Sequence, residues 1–444
     1  MNGLNGARVV VIDDDPEEAL PILKAFSKIG VPSVYFDGRP IGLPRQAHRL
    51  AGIRLAVLDM DLVGGGADDK SKVAALVKVL SRILSSDNGP YAVVAWTKHL
   101  ELIELFEQYL FAQPDLPNPI FVATLEKAAC KKNQGFDLRV VAEELKKSLD
   151  EGGSPLLLLQ GWEGRAFDAA TRVTNELSNV TAVNAGTLLT WRQQWKSEVV
   201  RLMRALAEAQ AGKHLDKGSC FRYLYDSLNP LHADALERGT NALSLQLTAK
   251  ADEILNATPE CGPDRKAKLN TMLHLSFGAP GKLVTGDIYL LPTQKVKGVI
   301  PTIQDLLTDS LQLPKDEALA TKLKSEMSDV VKLTAIEVSA VCDYAQQNVR
   351  VPRFLIGLFV PVEHSKKIKG QADFLWHFGP LFLDRPPFAQ GRYNLYLNAR
   401  HLITFDPKLA AKLKAVARLR IQALTHLQAW FSQRASRPGV VMLI

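Results

Sequence analysis

Asp13-Asp14-Asp15 closes the apolar run Val9-Val10-Val11-Ile12, and Asp59-Met60-Asp61 closes a second run, Leu55-Ala56-Val57-Leu58. Short continuous apolar runs of this kind read as strands buried on both faces. In an open α/β sheet ligands bind beyond the carboxyl ends of the strands, so two such ends can converge their acids at one edge. Carboxylates delivered there are oxygen donors for a hard cation, and Mg²⁺ needs few protein ligands because it keeps several waters. Asp13, Asp14 and Asp59 are therefore candidate Mg²⁺ ligands. The chemistry this supports is phosphoryl transfer, in which the cation neutralises the transferring oxygens while Asp59 attacks phosphorus. Asp15 has a separate explanation. Asp15-Pro16-Glu17-Glu18 supplies an N-cap, a proline at the first helical position and two carboxylates in the first turn.

Those strand ends need helices and a sheet to bring them together. After Pro16, the positions Ala19, Leu20, Leu23, Phe26 and Ile29 fall on one helical face. Val73, Leu76, Val77, Leu80 and Leu84 do so again, as do Leu102, Ile103, Phe106 and Leu110, and then Leu138, Val141, Leu145 and Leu149. Short β runs alternating with such helices predict a parallel sheet covered on both faces. Pro40 to Gly52 is the weakest helix candidate, since it holds two prolines and two glycines.

On these residues the segment 1–150 resembles the receiver domain of bacterial two-component signalling, which implies a flavodoxin-like (βα)5 fold. Val9 to Pro16 matches the first strand and its acidic pair, Asp13 and Asp14. Leu55 to Leu62 matches the third strand, with Asp59 as phosphoacceptor and Asp61 supplying a backbone carbonyl to the metal. Val93-Val94-Ala95-Trp96-Thr97 matches the fourth strand and its switch hydroxyl, Thr97. The resemblance also calls for a lysine directly after the fifth strand, placed at Ile120-Phe121-Val122-Ala123; the nearest are Lys127, behind Thr124-Leu125-Glu126, and Lys98 beside Thr97. The family's proline after the phosphoacceptor loop is replaced by Val63-Gly64-Gly65-Gly66, a flexible stretch that lacks the Gly-Lys-Ser/Thr of a nucleotide P-loop. A receiver implies Mg²⁺ as cofactor, a histidine kinase as partner, a second response regulator or effector downstream, and self-catalysed phosphoryl transfer as its own chemistry.

Composition bounds the rest. The 444 residues suit two or three domains, and 47% hydrophobic with 23% charged residues is ordinary globular usage. The start, Met1-Asn2-Gly3-Leu4-Asn5-Gly6, lacks a charged region and an apolar core, and Leu156 to Leu159 is far short of a membrane span, so the expected location is the cytoplasm. Cys130, Cys220, Cys261 and Cys342 lie far apart, which argues for buried free thiols rather than a zinc ribbon or disulfides. A net charge of +7 leaves room for an acidic partner such as nucleic acid.

After the receiver, 151–280 reads as a helical linker or interaction region and 281–444 as a β-rich domain. Thr187 to Gln210 carries Leu188, Leu189, Trp191, Trp195, Val199, Leu202, Met203 and Leu206 at helical intervals, a pattern of core packing or of a homodimer seam. A further helix runs from His232 to Leu255. Gly286 to Leu291, Lys332 to Val341, Arg353 to Val362, Asp373 to Leu383 and Tyr393 to Phe405 read as strands of a small barrel, with a helix-rich insertion from Pro301 to Asp329. The chain closes on an amphipathic helix from Pro407 to Phe431, whose Lys408, Lys412, Lys414, Arg418 and Arg420 form either a solvated face or a nucleic-acid contact.

Cys342, with His377 or His401 as base, is the one nucleophile candidate outside the receiver, and a buried strand-end motif competes with it. Glu337 to Gln346 resembles a strand motif ending in Cys-Asp-x-Ala-Gln in large receiver-containing proteins of bacterial conflict and anti-phage systems, and Ser436-Arg437-Pro438-Gly439 is similar to their C-terminus. The functional expectation is a phosphoaccepting receiver of a defence-type phosphorelay, acting as relay or phosphate sink. The alternatives are a scaffold with a degenerate receiver and a phosphorylation-controlled nucleic-acid binder.

Overall fold

A computed structural model describes residues 8–62, 68–132, 135–152, 154–181, 186–211, 215–218, 220–238, 255–257, 261–277, 283–291, 302–340, 351–368, 372–404 and 413–435. Two compact units emerge: Met1–Leu177 with His232–Ala257, and Ser178–Leu231 with Thr258–Ile444.

In the first unit, strands β1 (Val9–Ile12), β2 (Ser33–Phe36), β3 (Leu55–Asp59), β4 (Ala92–Thr97) and β5 (Val122–Glu126) form one sheet in the order β2-β1-β3-β4-β5. All pairings are parallel. This is the flavodoxin-like order, and its reversal point lies between β1 and β3, where the acids end. Alternate residues of each apolar run face opposite layers. Val10, Ile12, Ala56, Leu58, Val93 and Ala95 pack with helix α2 (Asp69–Ile83) and helix α3 (Ile103–Phe111). Val9, Val11, Leu55, Val57, Ala92, Val94 and Trp96 pack against helix α1 (Pro16–Lys28) and helix α5 (Leu138–Gly152).

Helix α1 starts where the sequence sets it, with Asp15 as N-cap accepting from the Glu17 amide and Pro16 in the first turn. Its buried face is Ala19, Ile22, Ala25 and Phe26, while Leu20 and Ile29, expected inside, are 39% and 70% exposed. The cap fixes the phase of the helix, and that phase turns Ile22 and Ala25 to the sheet. Leu138 likewise lies outside, at 41% exposure. Between β2 and β3, where the sequence offers its weakest helix candidate, stands a single 3₁₀ turn, Gln46–His48. Pro40 and Pro44 withhold amides a helix would need. Leu50 instead donates to the Ile83 carbonyl and accepts from the Ser85 amide, which pins the segment to the end of α2. After β5 a short helix α4 (Lys127–Cys130) and a miniature hairpin, β6 (Lys131–Lys132) with β7 (Gly135–Phe136), lead into α5.

Helix α6 (Ser154–Val180) follows. Its Glu163 holds Arg54 through both carboxylate oxygens, at 2.5 and 2.9 Å, and Arg8 at 3.2 Å. Arg8 and Arg54 precede β1 and β3, so this ion cluster fixes α6 at the amino end of the sheet, opposite the acids.

In the second unit, helix α7 (Leu188–Ala211) carries the tryptophan pair, and the expected core packing is not what is found. Trp191 and Trp195 stack on each other 5.9 Å apart, with Trp191 38%, Leu188 62% and Leu189 66% exposed. The buried part of α7 is its end, Ala207 and Ala211. Small residues there let helix α8 (Cys220–Arg238) approach, and Ser227 donates to the Leu206 carbonyl. Helix α8 begins at Cys220 rather than His232 and is described as far as Arg238.

Helix α9 (Pro263–His274) and strands β8 (Leu275–Ser276) and β9 (Asp287–Leu290) come next. Helices α10 (Ile303–Ser310) and α11 (Glu317–Val330) form the expected insertion before β10 (Lys332–Glu337). Strands β11 (Arg353–Pro361), β12 (Leu375–Leu383), β13 (Gly391–Thr404) and β14 (Ala415–Leu419), then helix α12 (Ile421–Ala435), complete the described chain. The seven strands form one antiparallel sheet, β12-β13-β11-β10-β9-β14-β8, curled into a half-barrel. Its two edge strands do not pair with each other. Helix α9, which runs straight into β8, lies along β12 instead: Asn270 donates to the Pro380 carbonyl, and the Thr271 hydroxyl accepts from the Phe382 amide. A helix thus covers an edge that would otherwise template further pairing. The terminal helix exists but is shorter than expected, because 415–419 is strand β14 and the helix begins at Ile421.

Candidate metal and phosphoacceptor site

The ends of β1, β3 and β5 meet in one pocket. Asp13 and Asp14 follow β1, Asp59 ends β3, and one oxygen from each of the three lies within 4.8 Å of the others. Asp13 is 0% exposed and Asp59 5%. Asp13 Oδ1 accepts from the Asp15 amide at 2.9 Å and Asp59 Oδ1 from the Asp61 amide at 3.1 Å, so local turns aim both carboxylates. The buried Asp13 Oδ2 has no hydrogen-bond partner. Its nearest cation, Lys127 Nζ at 3.7 Å, is beyond hydrogen-bond distance, and a metal ion held by the three acids would satisfy it. The donor set, all hard oxygen, fits a divalent cation of the Mg²⁺ class.

Lys127 brings a cation into the pocket. The expected fifth strand ends at Ala123, with three residues between it and the lysine; β5 instead runs to Glu126, pairing Thr97 with Glu126, and Lys127 follows at once. Its Nζ lies 3.0 Å from Asp59 Oδ2 and 3.7 Å from Asp13 Oδ2, and pairs closely with Glu18 in the first turn of α1. The ammonium also sits 5.8 Å from the Trp96 ring centre. Lys98, the other candidate, is exposed.

Burial, then the charge on Asp59, raises the Asp13 carboxyl to about 7, against pulls from Lys127 and the Asp15 amide. Burial also raises Asp59, opposed by Lys127 and the Asp61 amide. For Lys127, burial disfavours the charged form, but the hydrogen bond to Glu18 and the charges of Asp59 and Asp13 raise its pKa overall. Each of these shifts follows from ionised groups held in low dielectric beside one another.

Thr97 is fully buried at the end of β4, one residue beyond the Asp59–Trp96 register pair, and its hydroxyl oxygen accepts from the His99 amide at 2.8 Å. The Asp61 carboxylate points away from the trio, to Lys72 Nζ at 3.0 Å and His99 Nε2 at 3.8 Å, which leaves only its backbone for a metal. The glycines 64–66 lie outside the described residues.

Glu18 was legible only as a helix-cap acid, and nothing in the local sequence links it to a lysine 109 residues away. Away from this pocket, Cys342 and its neighbours 341–350, and the residues 436–439, lie outside the described chain. His377 is exposed and stacks on Tyr396, while His401 is bound to Asp309 at 3.1 Å. Cys130 is buried, and Cys220 and Cys261 are half-buried; all three are free. Among the described residues no helix is long and apolar enough to cross a membrane.

No family model matches the chain, and no curated protein matches it. Among solved structures it is similar to a de novo designed Rossmann 2x3 fold protein determined by solution NMR, at 16% identity over 33% of this chain and 92% of that one, with a TM-score of 0.20. The strand order and the side chains at its carboxyl edge, rather than this likeness, define a receiver-like fold with an acidic pocket and a buried lysine.

Proposed function

We propose that this protein is a phosphoaccepting receiver that takes a phosphoryl group from a histidine kinase onto Asp59 and passes on, or absorbs, the signal. The observation that carries the reading is Lys127 Nζ, 3.0 Å from Asp59 Oδ2 in a pocket where Asp13, Asp14 and Asp59 converge. A bound Mg²⁺ would be held by Asp13, Asp14, Asp59 and the Asp61 carbonyl, and supplies charge neutralisation on the transferring oxygens. An Asp59 oxygen forms the new bond to phosphorus as the phosphorus–nitrogen bond of the donor breaks, the imidazole keeping the electron pair. Lys127 is placed to balance the added charge, and Thr97 to turn its hydroxyl toward a phosphoryl oxygen. That movement would repack the end of β4 and the start of α3, the surface expected to meet a second response regulator or effector.

A degenerate scaffold drew its support from a displaced lysine, and Lys127 occupies the pocket. A nucleic-acid binder drew its support from a basic helix beginning at Pro407, over which β14 intervenes. The proposed anti-phage setting rests on the resemblance at Glu337 to Gln346 and Ser436 to Gly439. The test is Mg²⁺-dependent phosphate uptake from a small phosphodonor, read by intact mass on wild type and Asp59→Asn. One acid-labile phosphate on wild type and none on the variant is expected; uptake by neither, or equally by both, rejects Asp59 as acceptor.

A further inference from the structure

Glu18 occupies the third position of helix α1, where a glutamate ordinarily folds back to the N-cap amide in a capping box. That amide, of Asp15, already donates to Asp13 Oδ1. The Asp15 side chain in turn takes the Glu17 amide. Both ends of the usual box are therefore occupied elsewhere, and the Glu18 carboxylate reaches across the pocket to Lys127. The side chains of Lys127 and Glu18 are 4% and 19% exposed, so this is a nearly desolvated pair rather than a surface contact.

The pocket then holds four carboxylates: Asp13, Glu18 and Asp59 are ion-paired to the Lys127 ammonium group, and Asp14, which is exposed, lies beside the two aspartates. Three are accounted for by metal binding and phosphoryl acceptance. Glu18 has no part in either, and it engages the cation that an incoming phosphoryl group needs. We propose that Glu18 is a displaceable counter-ion: it holds Lys127 in the unmodified protein, competes with the phosphoryl group for it, and is released when Asp59 is modified. Glu18 is a positioning residue that acts through Lys127. Because it sits in the first turn of α1, its release changes the charge and contacts of that turn and makes α1 a reporter of the state of Asp59.

This inference rests on the phosphoacceptor reading. Its test compares wild type, Asp59→Asn and Glu18→Gln, with a small acyl phosphate as donor; the acyl oxygen–phosphorus bond breaks and the carboxylate leaves with the electron pair. Glutamine keeps an acceptor for Lys127 and removes the charge. Deleting one like charge within a few ångströms of the transferring group predicts uptake about ten-fold faster at saturating Mg²⁺. The same deletion withdraws negative charge from the metal site, so apparent Mg²⁺ affinity should fall by about three-fold or more. Opposite movement of the two readouts separates the counter-ion from a structural role, since a loosened pocket would lower both. Uptake by Glu18→Gln that is equal to or slower than wild type overturns the counter-ion while leaving Asp59 as acceptor. Failure of wild type to take phosphate removes the phosphoacceptor reading and this one with it.

Discussion

Binding of Mg²⁺ to this pocket should expel a proton from Asp13. Burial first, then the Asp59 charge, lifts this carboxyl from an ordinary 3.8 to about 7. A metal takes the ionised form, so affinity and proton release are linked. A carboxyl titrating at about 7 is about nine-tenths protonated at pH 6 and about one-tenth at pH 8, so affinity should rise about ten-fold between them. Without metal the same group acts on stability in the sense opposite to a salt-bridged aspartate. Its folded pKa lies above the unfolded value, so between about pH 4 and pH 7 the folded chain keeps a proton the unfolded chain has lost, and stability falls as pH rises. A gap of about 3 pH units corresponds to about 4 kcal/mol, an upper figure for the cost of ionising Asp13. Asp13→Asn keeps an acceptor for the Asp15 amide and cannot ionise, so at pH 8 in chelator it should match or exceed wild type in thermal stability while losing Mg²⁺ binding. Calorimetric titration in two buffers of different ionisation enthalpy counts the protons: about 0.9 released at pH 6 and about 0.1 at pH 8. Equal affinity at both values, with no proton released at pH 6, would refute the burial argument.

Lys127→Met should slow phosphate uptake by about 100-fold while tightening Mg²⁺, because a preorganised charge on the phosphoryl oxygens is lost and a repulsive one is removed from the metal; the intact-mass assay and calorimetry read both. Thr97→Ala should leave phosphate uptake within about two-fold but uncouple it from any change in partner binding, since the hydroxyl acts after transfer. Arg54 holds the Glu163 carboxyl below its usual range, so its contribution is present above the unfolded pKa and is lost as pH falls. Glu163→Gln should cost about 2 kcal/mol at pH 7 by urea unfolding, and an unchanged midpoint would count against the cluster at the foot of β1 and β3. Gly357 lies inside β11 at a register shift, where an added Cβ would stand 2.0 Å from the Tyr396 carbonyl oxygen and 2.8 Å from Leu397 Cδ2. Gly357→Ala should therefore destabilise the half-barrel by about 3 kcal/mol or more, seen as lost soluble yield or a lower thermal midpoint.

The receiver-like half was legible because its chemistry and its periodicities agree. Asp13 and Asp59 close apolar runs whose length and β-branched residues read as central strands, and the parallel register then brings them to one edge. What the sequence concealed is where a strand stops. Val122-Ala123-Thr124-Leu125-Glu126 carries no turn residue and ends on a glutamate that reads as a loop acid, yet pairing with β4 extends it to Glu126 and carries Lys127 into the pocket. Strand ends set by a neighbour leave no local mark. Helix phase failed for a related reason: Leu20 and Ile22 are equally apolar, and only the cap at Asp15 decides which one meets the sheet.

The C-terminal strands were found because alternating apolar and turn residues survive the loss of context, but two cations of the basic face there, Arg418 and Arg420, are engaged within the chain. A cation marks a binding surface only when no anion or carbonyl of its own chain claims it. Arg418 lies on β14 and donates to Asp287, a residue 2% exposed on β9, so its charge is spent inside the sheet. Arg420 donates to the Leu275 carbonyl on β8 and ties the start of α12 to the edge strand. Read as a helix, 407–431 gathers these arginines with the lysines on one side; read as strand then helix, the arginines become fasteners of neighbouring strands. The net charge of +7 therefore overstates the cation available to a partner in this region, and the same reasoning explains Lys127, a lysine used wholly within its own pocket.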